Sequence, residues 1–365
     1  MNGMTRLPLG KRISSALAVT LVTGILIAGC STPAPAAPPK SSNDSKLSGK
    51  ITAAEWGGVW DNALQVVSPG FTTATGVDVV NSVNSGSVLA VLEQNPGLYD
   101  LGWVIGTTGV QAYEKGLTQA IDTSKIDNFD SLNPTLVDAM TVDGELSAVP
   151  ISFGTMGILY RSDLVDFKID EWKDLWDPRL EGKITIQNAP SIGGLFVMMA
   201  AAEAFGDGID DYEAGFKAME KLKPNIQSLY ANSAEPINAL ASGTASVAVT
   251  FANYGIPLKT ENVKIVIPDG GSAWSVQAIS IPKATTNPDA AYAFINYMLQ
   301  KDTQVTWADA ASIAPANTAV KLPANVRAKV LEDKDVGASL WPIDWVEFGE
   351  SVDGWTTRWQ EIFAK

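Results

Sequence analysis

Apolar runs typical of β-strands alternate with amphipathic stretches typical of helices from Lys50 onward. Seven short runs rich in β-branched and other apolar residues predict strands. These strands cover residues 50–56, 76–80, 99–104, 182–188, 245–251, 263–268 and 276–282. Because strands and helical stretches alternate, we expect an α/β protein with largely parallel sheets.

Helical composition and spacing are clear in residues 192–206 and 213–223. A further helix begins at Asn287, the predicted N-cap, with Pro288 at the first helical position. Its predicted apolar face consists of Ala291, Phe294, Ile295, Met298 and Leu299.

The C-terminal stretch predicts a long amphipathic helix with a core-facing stripe at three-four spacing. The stripe consists of Trp345, Phe348, Val352, Trp355, Trp359 and Ile362. We expect Trp355 and Trp359 to be packing residues. Trp345 lies at the helix start, so a ligand-binding role stays open for it.

The N-terminal segment has the pattern of an export signal. Arg6, Lys11 and Arg12 precede residues 13–27, which are apolar, uncharged and too short for a comfortable membrane span of ~20 residues. Small residues then lead into Cys30, the single cysteine, as in a bacterial lipobox. We predict a signal peptide at 1–29, a lipid attached to Cys30, and a Pro/Ser-rich tether at 30–49. An ordinary signal peptide or a buried helix with a chance cysteine is the alternative.

The amino-acid composition narrows the classes of function that the chain can have. The 365 residues are 46% apolar and carry a formal charge of −14, which argues against nucleic acid as a partner. Histidine is absent, so Ser-His-Asp or Cys-His catalysis and His-ligated zinc are excluded. One cysteine excludes thiolate metal clusters and an internal disulfide scaffold. We predict no enzyme activity, no metal and no cofactor.

Several stretches, taken in chain order, resemble a known family of transport receptors. They are ITAAEWGGVWDNAL with TTATGVDVV, LYDLGWVIGTTGVQAYEKGLTQAIDTSKI, AVPISFGTMGILYRSDLV, WKDLWDPRLEGKITI, EPINALASGTASVAVTF, AISIPKATTNPDAAYAFINYML and SIAPAN. Together they resemble the extracytoplasmic solute-binding proteins of ABC importers, in the spermidine/putrescine-binding branch. The resemblance covers roughly residues 50 to 363.

This resemblance implies the two-lobe, type II periplasmic-binding-protein fold, with the ligand in a cleft between the lobes. We expect lobe 1 at 50–152 plus 274–313 and lobe 2 at 153–273 plus 314–365. The chain should cross between lobes near 149–155, 269–275 and 312–317. The implied partners are a small-molecule ligand, ABC permease subunits and the membrane, reached through the lipid on Cys30. We expect an extracytoplasmic monomer.

The resemblance also implies the ligand site, because the family's aromatic rings sandwich a methylene chain and its carboxylates bind ammonium groups. The aromatic positions correspond to Trp56, Trp60, Phe251, Tyr254 and Trp274. The polar positions correspond to Thr107, Asn188, Ser191 and Gln277, with Ile105 beside them. Asn188, Ser191 and Gln277 stand where the family has acidic residues. A polyamine-like monocation, a zwitterion or a neutral polar solute therefore fits better than a dication.

Other interpretations stay open. Trp56 is a possible core plug, Thr107 and Thr108 are possible helix caps, and Gln277 is a possible turn residue. Glu55 and Asp61 flank the Trp-Gly-Gly turn and are candidate carboxylates, whereas Trp103 and Trp307 are expected to be structural. Alternative functions are a ligand-sensing surface lipoprotein, a metal or ferric-ion binder of the same fold, and a carboxylate-dependent glycosidase.

Overall fold

The computed structural model describes residues 47–84, 88–258, 262–330 and 340–363. The predicted signal peptide, Cys30 and nearly all of the predicted tether lie outside these residues. The strands are β1 (Gly49–Glu55), β2 (Val77–Val83), β3 (Leu101–Ile105), β4 (Thr141–Val142), β5 (Glu145–Leu146), β6 (Val149–Arg161), β7 (Ile184–Gln187), β8 (Ile226–Tyr230), β9 (Val247–Phe251), β10 (Val263–Val266), β11 (Trp274–Ser280) and β12 (Ala314–Pro315).

The described helices are α1 (Val59–Thr75), α2 (Val88–Gln94), α3 (Gly106–Glu114), α4 (Pro134–Asp138), α5 (Ile192–Phe205), α6 (Tyr212–Leu222), α7 (Ala234–Ser242), α8 (Pro288–Met298), α9 (Lys301–Ala311), α10 (Ala324–Arg327) and α11 (Trp345–Phe363). Short 3₁₀ segments connect several of them, including Ala252–Leu258 directly after β9.

The strands lie in the order β2-β1-β3-β11-β6-β9-β7-β8, and β10 and β12 also pair with β6. We call β2, β1, β3 and β11 the first half-sheet, and β9, β7, β8 and β10 the second half-sheet. Residues 149–155 of β6 pair with β11 and β12, and its remaining residues pair with β9 and β10. One long strand therefore joins the two half-sheets.

We call the region where β6 joins the two half-sheets the junction. The expectation of largely parallel sheets is confirmed only for the strands away from this junction. β1 pairs in parallel with β2 and β3, and β7 pairs in parallel with β8 and β9. However, β6 is antiparallel to all its partners, and β11 is antiparallel to β3. The reason is topological, because the chain leaves the first half-sheet through β6 and returns to it through β11.

The three predicted crossings lie side by side at this junction. Thr155 is opposite Trp274, and Phe153 is opposite Ala314. The predicted lobe boundary at 152/153 falls inside β6, and α11 packs against both α3 and α6. The exact lobe bounds stay a prediction.

Helices cover the sheet with the faces that the sequence pattern predicts. In α1, Leu64, Val67 and Phe71 recur at three-four spacing and are buried. Residues 193–202 of α5 are all buried, so this helix lies in the core with apolar contacts all round.

The predicted apolar face of α8 is confirmed, since its five residues are fully buried. The α11 stripe is also confirmed, except that Val352 is only half-buried. The predicted N-cap position of Asn287 is confirmed, with Pro288 at the first helical position, but the Asn287 side chain makes no cap hydrogen bond. Its side-chain amide donates to Asp100 Oδ1 at 3.0 Å instead.

Candidate ligand-binding cleft

A cavity of about 530 Å³ opens where strands of both half-sheets end. Its volume is typical of a small-molecule site, and open α/β sheets bind ligands at the carboxyl ends of their strands. The lining residues are Trp56, Trp60, Ile105, Thr107, Thr108, Gln111, Gly154, Gln187, Pro190, Ser191, Ile192, Phe251, Asn253, Tyr254, Ser275, Gln277, Ile313, Phe348 and Val352.

Aromatic rings line the cavity from both half-sheets. Trp56 and Trp60 meet edge to face, with ring centroids 5.9 Å apart. Behind Trp60, Trp307 and Trp103 continue the row into the core, and the latter two rings stack at 4.9 Å and 11°. The stacked indoles of Trp307 and Trp103 therefore hold the rings of Trp60 and Trp56 in place.

A second aromatic pair comes from the end of β9. The rings of Phe251 and Tyr254 lie 5.8 Å apart at 71°. Desolvation raises the pKa of Tyr254 to about 12, so its hydroxyl stays protonated at physiological pH. The two pairs offer four ring faces or edges, suitable for methylene groups or for a cation.

A chain of hydrogen bonds fixes Gln277 in the cavity wall. The indole N–H of Trp307 donates to Ser152 Oγ, and the Ser152 hydroxyl donates to Gln277 Oε1, each at 3.2 Å. The Gln277 amide nitrogen donates to the Ser275 carbonyl at 3.3 Å. Because the Ser152 hydroxyl donates to Oε1 of Gln277, that oxygen faces Ser152. The amide nitrogen of Gln277 therefore faces away from Ser152, toward the Ser275 carbonyl.

Three buried polar side chains in the lining have no partner. Thr107 is 9% exposed, Asn253 is 6% exposed and Ser275 is 2% exposed. Among the described residues, none of their side-chain polar groups makes a hydrogen bond, although each borders the cavity. The polar atoms of these three residues are not among the fully buried, unpartnered atoms of the described ranges, so they are accessible from the cavity and are suited to hydrogen bonds with a bound molecule.

The cavity lining is uncharged: no Asp, Glu, Lys or Arg of the described ranges belongs to it. Glu55 is buried beside Trp56 but lies outside the lining, and its Oε1 has no hydrogen-bond partner. Burial raises the pKa of Glu55, although the Gly57 N–H donates to its other oxygen. Asp61 accepts from Gln65 and Asn81 instead of facing the cavity.

The structure brings together seven of the ten residues that the sequence singled out for the site. These are Trp56, Trp60, Thr107, Ser191, Phe251, Tyr254 and Gln277. Their role as ligand contacts stays a prediction.

The other three lie outside the lining. Asn188 is exposed and accepts from the Trp359 indole N–H at 2.9 Å. Trp274 is buried and donates to the Trp341 carbonyl at 2.7 Å. Trp345 is buried against Trp274, with centroids 5.4 Å apart. All three support the packing of the cleft walls.

Two of the open alternatives are now decided. Thr108 acts as a cap, because its hydroxyl accepts from the Ile105 N–H at 3.1 Å. Gln277 lies inside β11, so the interpretation as a turn residue is wrong. Trp103 and Trp307 are fully buried, as expected for structural residues.

Sequence reasoning missed several polar lining residues. Ser275 lies two positions before Gln277 on the same face of a strand, and Gln111 lies four positions after Thr107 on the same face of a helix. The two-residue period of a strand and the four-residue spacing of a helix could therefore have identified Ser275 and Gln111 as lining residues. Asn253 comes from the 3₁₀ segment after β9, and no periodicity signals it.

The described ranges contain neither a membrane-spanning helix nor a metal-binding cluster. None of the helices in those ranges is both long and apolar enough to cross a membrane. Within the same ranges, no cluster of three or more Asp, Glu, Cys or His is arranged to hold a metal ion.

The chain is similar to known binding proteins. It is 25% identical over 318 residues to the spermidine/putrescine-binding periplasmic protein of Salmonella typhimurium, covering 83% of this chain and 89% of the relative. A crystal structure of an ABC transporter protein from Clostridium perfringens superposes with a TM-score of 0.73 at 28% identity, covering 86% of this chain and 99% of that one.

A second solved structure has the same fold. The spermidine/putrescine ABC transporter substrate-binding protein of Streptococcus pneumoniae, in complex with calcium and HEPES, superposes with a TM-score of 0.71. It is 22% identical, and the superposition covers 86% of this chain and all of that one. The fold of this chain is therefore the two-lobe fold of such substrate-binding proteins.

The family comparison covers most of the chain. Residues 70–332 match the family described as bacterial extracellular solute-binding protein. Solute-binding proteins of this kind bind a small molecule and serve transport. The chain belongs to the family of bacterial extracellular solute-binding proteins.

Proposed function

We propose that this protein is the lipid-anchored solute receptor of an ABC importer, and that it captures a small organic nitrogen solute in the cleft between its lobes. The solute is polyamine-like, monocationic or zwitterionic. The observation that carries the proposal is a cavity lined by two aromatic pairs and by three largely buried residues whose polar groups have no protein partner, with no charged side chain in the lining. The family membership supports the transport role.

The uncharged lining argues against a dication such as putrescine. Burying an ammonium group without a partner costs several kcal/mol, and aromatic faces return only ~2 kcal/mol of that. Two ammonium groups would face this cost twice in a cavity whose lining has no carboxylate. A solute with one cationic end, and a second end that takes hydrogen bonds, has this cost only once.

The junction of the half-sheets supports a hinge. The neighbouring segments at β6, the start of β11 and β12 are the connections about which the lobes would close on the solute. Closure buries the solute and changes the outer surface that the permease subunits contact. The lobe bounds given above, 50–152 plus 274–313 and 153–273 plus 314–365, follow from this interpretation.

The anchor rests on the sequence alone. The cationic start, the short apolar run and the small residues before Cys30 support cleavage at that cysteine and attachment of a lipid. The Pro/Ser-rich tether then holds the receptor at the outer side of the cell membrane.

Thermal unfolding of the purified protein with a solute panel tests the proposal. The panel contains putrescine, spermidine, choline, betaine, 4-aminobutyrate, amino acids and simple sugars. A solute at ~100 times its dissociation constant adds about 2.7 kcal/mol to the free energy of unfolding. We expect an organic nitrogen solute to raise the Tm. Stabilisation by sugars alone, or by no member, contradicts the proposal.

A further inference from the structure

Two helices begin at the cavity, one from each half-sheet. α3 follows β3 of the first half-sheet, and the cavity lining includes Ile105 at the end of β3 and Thr107 and Thr108 in the first turn of α3. α5 follows β7 of the second half-sheet, and the lining includes Ser191 and Ile192 at its start. The cavity therefore lies at two helix N-termini.

Neither helix start is satisfied by a side chain. The N-cap of α3 is Ile105, whose side chain has no acceptor for the first-turn N–H groups, and the Thr108 hydroxyl accepts only from the N–H of Ile105 itself. Ser191, the N-cap of α5, could accept from the first turn, but its hydroxyl makes no such bond. The first-turn N–H groups of a helix carry partial positive charge and mostly lack intrahelical partners, although in α5 the Gly194 N–H already donates to the Ser191 carbonyl at 3.0 Å. They are suited to an anionic group.

A second, independent observation that favours a ligand site concerns the side chains around these helix starts. Thr107, in the first turn of α3, is nine-tenths buried and without a partner, and it borders the cavity. Asn253 and Ser275 are buried more deeply and are also unpartnered. A hydroxyl or an amide N–H donates readily to a carboxylate, and no lining carboxylate competes for these donors.

We propose that the solute is a zwitterion, with one carboxylate and one ammonium group. Its carboxylate binds between the N-termini of α3 and α5, with Thr107 and Ser191 donating to it. Its ammonium group lies against the aromatic pairs. This inference rests on the proposed function, and it selects one of the solute classes named there.

The charge balance of the cavity supports this selection. A zwitterion brings no net charge into a lining that has none, whereas a monocation leaves the positive helix ends facing a positive solute. Closure of the lobes would place an anion against both helix ends at once.

A matched pair of solutes tests the inference. Putrescine and 4-aminobutyrate both have four carbons and an ammonium group at one end, and the fourth carbon carries a second ammonium group in putrescine but is the carboxylate carbon in 4-aminobutyrate. Betaine and choline share a trimethylammonium head and differ in carboxylate against hydroxyl. We expect the carboxylate member of at least one pair to raise the Tm of the protein, and to bind by calorimetry ~10-fold or more tightly than its partner.

The outcomes separate this inference from the proposed function. If, in every pair that binds, putrescine or choline binds at least as tightly as its carboxylate partner, the zwitterion is wrong and the receptor function stands. If neither pair, nor any other amine, amino acid or ammonium compound, binds, both are wrong.

A pair of variants tests where the carboxylate binds. Ser191→Asp places an anion at the N-cap of α5, where it stabilises the helix and occupies the site. Ser191→Asn makes the same cap without charge. We expect S191D to weaken the zwitterion ~10-fold or more beyond S191N, because like charges repel in a desolvated site.

The charge control is Ala324→Asp, which adds one negative charge at the exposed start of α10, outside the cavity. It should leave the affinity within about twofold. Equal affinities of S191D and S191N for the carboxylate solute would overturn the placement at α5. The placement would also be overturned if S191D weakened binding of the solute without a carboxylate as much as it weakened binding of the zwitterion.

Discussion

Gln277 shows how a single residue sets the polarity of the cleft. It stands where the resemblance implies an aspartate, and its orientation depends on the Ser152 hydroxyl and the Trp307 indole. Its charge-free amide is therefore held rigidly in place by buried groups. Rigid placement of a polar group lowers the entropy lost on binding.

Removing the Ser152 hydroxyl should disturb both stability and binding. Ser152→Ala leaves the Trp307 N–H and Gln277 Oε1 without this partner, so we expect a loss of about 1–3 kcal/mol in the free energy of unfolding. Gln277 then loses its fixed orientation, and the solute should bind less tightly in calorimetry.

The matched control is Ser280→Ala. Ser280 is equally buried in β11, and its hydroxyl donates to the Gly102 carbonyl, outside the cavity lining. S280A should lose stability but keep the solute affinity. If S152A binds the solute as tightly as S280A does, the bond to Gln277 does not organise the site.

Glu55 gives a pH dependence of stability. Burial raises its pKa above the ordinary value of 4.5, so the native state holds the proton more tightly than the unfolded state does. The contribution of Glu55 to the free energy of unfolding is therefore fully present below pH 4.5. It decreases as pH rises from 4.5 through the raised native pKa.

Glu55→Gln removes this titration. We expect the stability of E55Q relative to the natural protein to increase between pH 4 and pH 7 in urea unfolding. Glu145→Gln removes the same charge from an exposed strand position and controls for net charge. A relative stability of E55Q that is constant or falls over this range contradicts the expected burial effect.

The lining residues were predictable only where a pattern or a resemblance singled them out. Aromatic residues at strand ends, such as Trp56 and Phe251, stand out in a sequence. Asn253 does not, because its burial arises when a 3₁₀ turn meets strands far away in sequence. Trp274 resembles a ligand residue by position, but its indole donates to a backbone carbonyl inside the wall.

At the scale of elements, α11 connects the two walls of the cleft. Its first turns carry Trp345 and Phe348 against Phe196 of α5, and Trp345 also touches the start of α3. A β-carbon at Gly106 would come within 2.8 Å of the Trp345 ring, so α3 approaches α11 closely only because this residue is glycine.

Trp359 tests how α11 is held. Trp359→Ala empties a fully buried indole site and should cost about 3–5 kcal/mol in chemical unfolding. Trp359→Phe keeps most of the ring packing and loses the bond to exposed Asn188, so we expect about 1 kcal/mol for that bond plus a small packing loss. Similar losses for both variants would mean that packing is not the main contribution.

Element prediction succeeded where amphipathic periodicity was long, as in α8 and α11. It failed on the direction of the central strands, because a run such as residues 276–282 looks the same whether its neighbours are parallel or antiparallel. Topology decides this, and the return of the chain through β11 is not visible in local sequence.

At the scale of the whole molecule, the proposed lipid anchor and the binding cleft lie in separate segments of the chain. If the lipid on Cys30 holds the receptor at the membrane, Cys30→Ser should release the protein into the soluble fraction or leave the signal uncleaved. Labelling of growing cells with a fatty-acid probe measures the lipid directly. Labelled C30S protein would contradict attachment at this residue.

The central claim is that the solute binds in the cleft and contacts both half-sheets. Hydrogen exchange of the purified protein, with and without the solute that raises its Tm, tests this most directly. We expect slower amide exchange in two separate peptides, residues 105–111 at the start of α3 and residues 187–193 at the start of α5. Protection of only one of them, or of neither while the solute still binds, would contradict the account.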